Sequence, residues 1–167
     1  MSIRDEMLSE FHEELIATQR ILDRIPADKL NWKPHEKSMS LGQLAMHIAT
    51  VPTGIVFITS GDSFDVSQGN FTPPSPKDKA EIHNALAQSA INVEKALRET
   101  SDASAQAPWR LMRGDHEIQT RPRCAVWRSL MLNHWYHHRG QLSVYLRLLD
   151  VPVPSVYGPT ADESPFG

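Results

Sequence analysis

"NHWYHHRGQLSVYLRLL", residues 133–149, sets three histidines within five positions of a run whose apolar residues recur every three or four. That period is helical. Thr120 and Pro122 mark the expected start of this helix and about Leu149 its end, because the tail "VPVPSVYGPTADESPFG" holds four prolines and cannot continue it. An α-helix turns about 100° per residue, so the histidines can be sorted by angle. With His134 at zero, Trp127 and Tyr145 fall at about +20°, Leu130 and Leu148 at about −40°, Met131 and Leu149 at about +60°, and Leu142 at about +80°. The apolar stripe then centres near +30°. His138, at about +40°, lies in the stripe and His137, at about −60°, on its flank. The inward pair is therefore His134 and His138, with His137 a surface or rim residue. Two imidazoles one turn apart can converge on one ion, or can be core groups satisfied by carbonyls and water.

Three more helices are expected upstream. Met7, Leu8, Phe11, Leu15, Thr18, Leu22 and Ile25 space a helix over residues 2–25, which Pro26 halts. Ser40 and Gln43 form a capping box opening a second helix that carries Leu41, Leu44, Ile48, Val51, Ile55 and Ile58, with Pro52 expected to kink or end it locally. "GDSFDVSQGNFTPPSP" reads as a loop, after which Ser75 caps a third helix with Pro76 at its first position and Ile82, Leu86, Ala90, Val93 and Leu97 as its inner stripe. Arg113, Gly114 and Asp115 suggest a turn between two short extended pieces. The expectation is an all-α fold: one four-helix bundle over residues 1–167, with a possible short β-hairpin between helices 3 and 4.

A third ligand has to come from another helix. His12, His35, His83 and His116 sit among polar neighbours or in loops, whereas His47 lies within "LGQLAMHIATV" on the apolar second helix. It stands about 70° from the centre of the Leu44, Ile48 and Val51 stripe, at an edge of the core. Gln141, at about −20°, faces inward one turn beyond the pair and could orient a ligand or water. Arg139, at about +140°, could hold a substrate carboxylate or point outward into a subunit contact. Trp127, Trp135 and Tyr145 read as core or contact aromatics rather than as a cofactor box.

"LNWKPHEKSMSLGQLAMHIA" at 30–49, "NHWYHHRGQLSVYLRLLDVP" at 133–152 and "VYGPTADE" at 156–163 together resemble the DinB family of four-helix-bundle metalloproteins, with the H-x-x-x-H-R-G-Q signature on His134, His138, Arg139, Gly140 and Gln141. The resemblance implies that His47, His134 and His138 hold one divalent ion, zinc or nickel foremost, between the second and fourth helices. It also implies a homodimer. Characterised members of the family include transferases and isomerases that use low-molecular-weight thiols such as bacillithiol or mycothiol.

Three neutral imidazoles leave an ion's 2+ charge uncompensated and a coordination position open, the pattern of a catalytic site. The leading expectation is transfer of a small thiol to an electrophilic small molecule. Metal-dependent hydrolysis is the alternative, but no Asp or Glu lies within one helical turn of any of the three histidines to act as general base. A non-catalytic metal or ligand-binding module is the third reading. Cys124 cannot replace the external thiol, because ten residues before His134 on one helix it stands about 15 Å away. As the sole cysteine it excludes an internal disulfide, which with a charged N-terminus points to the cytoplasm.

Net charge is −3, yet residues 110–150 carry seven arginines against Asp115, Glu117 and Asp150, leaving −7 for the rest of the chain. This asymmetry suits an anionic ligand, a subunit contact or a solvated face. No basic run or reader motif supports nucleic-acid binding. No uninterrupted apolar run approaches the ~20 residues of a membrane span.

Overall fold

The computed structural model describes residues 2–166, so the first and last positions of the expected unit lie outside it. Helix α1 spans Ile3–Asp23, and the Ser2 hydroxyl and Asp5 carboxylate cap it reciprocally. Helix α2, Leu41–Ile58, opens on the anticipated box, in which the Gln43 amide donates to Ser40 Oγ at 3.1 Å and the Ser40 amide to Gln43 Oε1 at 2.9 Å. Helix α3 covers Lys79–Glu99 and the single turn α4 Asp102–Gln106. Strand β2, Pro108–Arg113, turns through Gly114 at φ +57° into β3, His116–Pro122. The chain ends in a continuous helical stretch made of α5 (Arg123–Val126), a π-helical segment (Trp127–Asn133) and α6 (His134–Leu148). Helix α2 packs on α3 and α6, and α1 packs on the same two from the other side, closing the bundle.

Four local expectations change. The third helix begins at Lys79 rather than after Ser75, because Asp78 takes the cap by accepting from the Glu81 amide at 2.9 Å. Pro76 instead braces the loop against α2, where its ring sits 3.0 Å from the place a Cβ on Gly42 would occupy. The last helix starts at Arg123, after Pro122, since Thr120 pairs with Arg110 in the hairpin. Inside the expected loop, Ser63–Asp65 forms β1 and pairs in parallel with β2, giving the sheet order β1-β2-β3. Three residues carry too little alternation to reveal such a strand.

Pro52, expected to kink or end α2, does not end it, and the reason is tertiary. A proline lacks the amide that would bond the carbonyl four residues back. The Ile48 carbonyl receives the Trp135 indole N–H at 2.8 Å instead, while the Thr53 amide donates to Ser89 Oγ at 3.0 Å. Trp135, fully buried, also stacks on Phe11 of α1 at 5.3 Å between ring centres. It therefore ties α6 to α1 and α2 at once. By length and composition α2 resembles a membrane span, but most of its apolar residues pack in the bundle core.

Arg139 does not point outward. It is 3% exposed, donating to the Glu14 carboxylate, to the Glu14 carbonyl at 2.9 Å, to Thr18 Oγ1 at 3.1 Å and to the Tyr157 hydroxyl. The buried side of α6, built by Trp135, His138, Arg139, Leu142 and Leu146, centres near +95° on the wheel above, about 65° from the stripe read along the whole segment. Arg139 is thus an internal tie between α6, α1 and the tail. The tail folds back over the bundle: Val153 joins the core, Asp162 pairs with Arg147, and Glu163 pairs with Arg20 and Arg24.

Candidate metal centre

The three histidines singled out in the sequence meet. His138 Nε2 lies 3.1 Å from His47 Nε2 and 2.7 Å from His134 Nε2, and all three ring atoms fall within 4.8 Å of one another. Each helix brings its part for a local reason. The capped start of α2 fixes the phase that puts His47 at the rim of the core, and the i,i+4 spacing on α6 stacks His134 and His138 on one face. His138 is buried, His47 and His134 are half-buried, and His137 is exposed, so the cluster is walled by the core on one side and opens to solvent on the other.

The His138 ring is oriented through its far nitrogen. Gln141 Oε1 stands 2.7 Å from His138 Nδ1; accepting there, it holds the proton on Nδ1 and leaves Nε2 with a bare lone pair. Gln141 is the inward residue that the wheel indicated.

Burial pushes the His47 pKa down to about 4, helped by repulsion from His138 and His134. His134 and His138 are lowered chiefly by burial too, with Leu130 and Gln141 respectively opposing the shift. All three are therefore neutral imidazoles at neutral pH, the form that ligates a metal. With its proton on Nδ1, His138 turns a bare Nε2 lone pair toward the other two Nε2 atoms, where a cation would be shared by all three. Tetrahedral zinc with nitrogens at about 2.0–2.1 Å sets those nitrogens about 3.3 Å apart, against 3.1 Å for His47 to His138 and 2.7 Å for His134 to His138 here. The donor set and its geometry fit a divalent ion. Among the described residues no carboxylate joins the cluster.

The comparisons with known proteins agree with this architecture. YrdA of Bacillus subtilis strain 168, an uncharacterized protein, is 25% identical over 167 residues, covering 95% of this chain and 90% of its own. A DinB-like protein from Bacillus cereus ATCC 10987 has a crystal structure that superposes with a TM-score of 0.73 at 24% identity, over 92% of this chain and 97% of that one. The DinB-like YjoA of B. subtilis superposes with a TM-score of 0.67 at 18% identity, over 95% and 98%. At these identities the two structures speak for the fold alone. The DinB family profile, however, matches residues 1–165, and with nearly the whole length accounted for, this chain belongs to the DinB family.

Proposed function

We propose that His47, His134 and His138 hold a divalent ion and that the protein joins the sulfur of a low-molecular-weight thiol to an electrophilic small molecule. The observation that supports it most is the convergence of three neutral imidazoles through their Nε2 atoms, with His138 Nδ1 held by Gln141. A bound divalent ion supplies Lewis acidity, which lowers the pKa of a thiol or a water toward or below neutrality. The chain's own part is to keep the rings neutral, to orient His138 through Gln141, and to leave one side open for a small molecule. Metal-dependent hydrolysis is the second reading. It is disfavoured because the charges acting on these rings are other histidines, with no Asp or Glu among them to serve as general base. The physiological unit in this reading is a cytoplasmic homodimer.

The test uses chain without a polyhistidine tag. Elemental analysis and an anomalous map locate the ion, and the loaded protein is then assayed against a panel of thiols and electrophiles. Turnover that requires thiol supports transfer. Turnover with water alone makes the protein a hydrolase, and binding without turnover makes it a binding module; either outcome overturns the transferase.

Two consequences follow for metal affinity. Gln141→Leu removes the acceptor on His138 Nδ1 and is expected to weaken zinc binding about 10–100-fold, measured by competition with a chromophoric chelator. Unchanged affinity would mean that packing alone orients the ring. The second concerns pH. Three ordinary imidazoles would lose about fifty-fold in affinity to proton competition between pH 7.5 and 6. Depressed pKa values keep these rings neutral to lower pH, so the expected loss is about tenfold or less in the same titration. In the metal-free protein the unfolded chain takes up its His47 proton first, so stability falls as pH drops from 6.5 towards about 4.

A further inference from the structure

Arg139 carries a donor that the fold does not use. A guanidinium offers five N–H groups in a planar fork. Its two terminal nitrogens are engaged, Nη1 with the Glu14 carbonyl and Thr18 Oγ1, and Nη2 with the Glu14 carboxylate and the Tyr157 hydroxyl. Nε, itself buried, finds no acceptor among the described residues. An unmatched N–H on a buried charged group is costly, and native proteins seldom leave one without a water or a ligand beside it. Against the same side chain lies a cavity of about 240 Å³. Helices α1 and α6 give one side of it, with Ile21, Tyr136 and Gly140, and the tail gives the other, with Val153, Val156 and Tyr157.

The space is built into the fold. Ser155 Oγ donates to the Gly158 carbonyl and Thr160 Oγ1 to the Val153 carbonyl, both at 2.8 Å, so the tail holds its own shape over the cavity. Ion pairs from Asp162 to Arg147 and from Glu163 to Arg20 and Arg24 anchor its end on α6 and α1. A Cβ on Gly140 or Gly158 would meet no neighbouring atom within 4 Å, and both glycines leave their part of the space empty. This is also a different place from the histidine cluster. On the wheel with His134 at zero, the cavity residues Tyr136, Arg139, Gly140 and Ser143 centre near +190°, about 170° around α6 from the histidine pair. The lining is chiefly apolar, because the Tyr136 hydroxyl is committed to Glu10 and that of Tyr157 to Glu14, each at 2.6 Å. An apolar chamber with one unmatched donor suits a small molecule with an apolar body and one hydrogen-bond acceptor. The acceptor has to be neutral. Glu14 already balances the Arg139 charge, and a carboxylate entering the cavity would meet Glu14 as a second anion.

We propose that the cavity between α1, α6 and the tail is a second ligand site, taking a small apolar molecule whose neutral carbonyl oxygen accepts from Arg139 Nε. The Tyr157 ring, 70% exposed and 5.2 Å from the guanidinium carbon, moves outward to admit that oxygen. Benzamide and benzoate, alike in size and different in charge, are titrated into the untagged chain and followed in ¹H–¹⁵N spectra. Benzamide is expected to saturate with a dissociation constant of about 1 mM or lower, shifting the Arg139 Nε–H signal and the amides of Gly140, Val156 and Gly158. Benzoate is expected to bind at least tenfold more weakly at these residues. A lack of saturation by benzamide, tighter binding of benzoate there, or shifts confined to residues outside the cavity overturns the inference. Gly140→Leu places a side chain in the empty space and is expected to weaken benzamide at least tenfold. A folded variant that binds as well as the unmodified chain overturns the inference too, and if the variant does not fold the shifts in the unmodified chain decide. Because the histidines lie on the far side of α6, the result stands apart from whether they hold an ion.

Discussion

Replacing His138 with alanine is expected to weaken zinc binding by at least about a hundredfold, more than the 10–100-fold typical of a residue that merely orients a ligand. His138 is the centre of the cluster, since its Nε2 is the atom within 3.1 Å of His47 and 2.7 Å of His134. Without it two nitrogens remain on two helices, too few for the three-protein-ligand pattern of a catalytic zinc site. Alanine is the best helix former, so α6 should persist. The matched control is His137→Ala on the exposed flank, expected to leave affinity unchanged. Calorimetric titration of the untagged variants, with elemental analysis of each, reads both. A His138→Ala protein that retains stoichiometric metal overturns the site, and any thiol-dependent turnover should vanish with the ion.

The second large effect is on stability. Trp135→Ala should cost about 4 kcal/mol, the range for deleting a buried tryptophan being about 3–5 kcal/mol. The ring is fully buried and stacked on Phe11, so its removal opens a cavity between α1, α2 and α6. It also strips the donor from the Ile48 carbonyl, which Pro52 has already deprived of a backbone partner. Trp135→Phe separates the two contributions: most of the apolar contact survives while the carbonyl is left unpaired, at about 1–3 kcal/mol. Urea unfolding of the metal-free proteins at one pH measures both. Equal stabilities for Trp135→Phe and the unmodified chain would show that the bond to Ile48 carries nothing. Because Ile48 follows His47, the alanine variant should also loosen the metal cluster.

Much of the site could be read from residue spacing because its parts are local. A capping box at Ser40 and Gln43 fixes where α2 starts, hence the face on which His47 lies, and two histidines four apart share a helix face in any bundle. Gln141, one turn on, fell into place for the same reason. Arg139 did not. Its angle was measured against a stripe averaged over a helix assumed to be uniform, and the π segment makes that average meaningless. Strand β1 was missed because three residues gain their order from pairing with β2 rather than from their own pattern.

The amino-acid sequence by itself determined the helices, their caps, the hairpin turn and which residues each helix could present together, since these follow from periodicity and short-range hydrogen bonding. Only the tertiary structure decided the phase between the two halves of the last helix, the inward course of Arg139, the repair of the Pro52 gap by Trp135 and the meeting of His47 with the α6 pair. Each of these depends on donors and acceptors that lie far apart in the chain, and packing against neighbouring helices decides which of them meet.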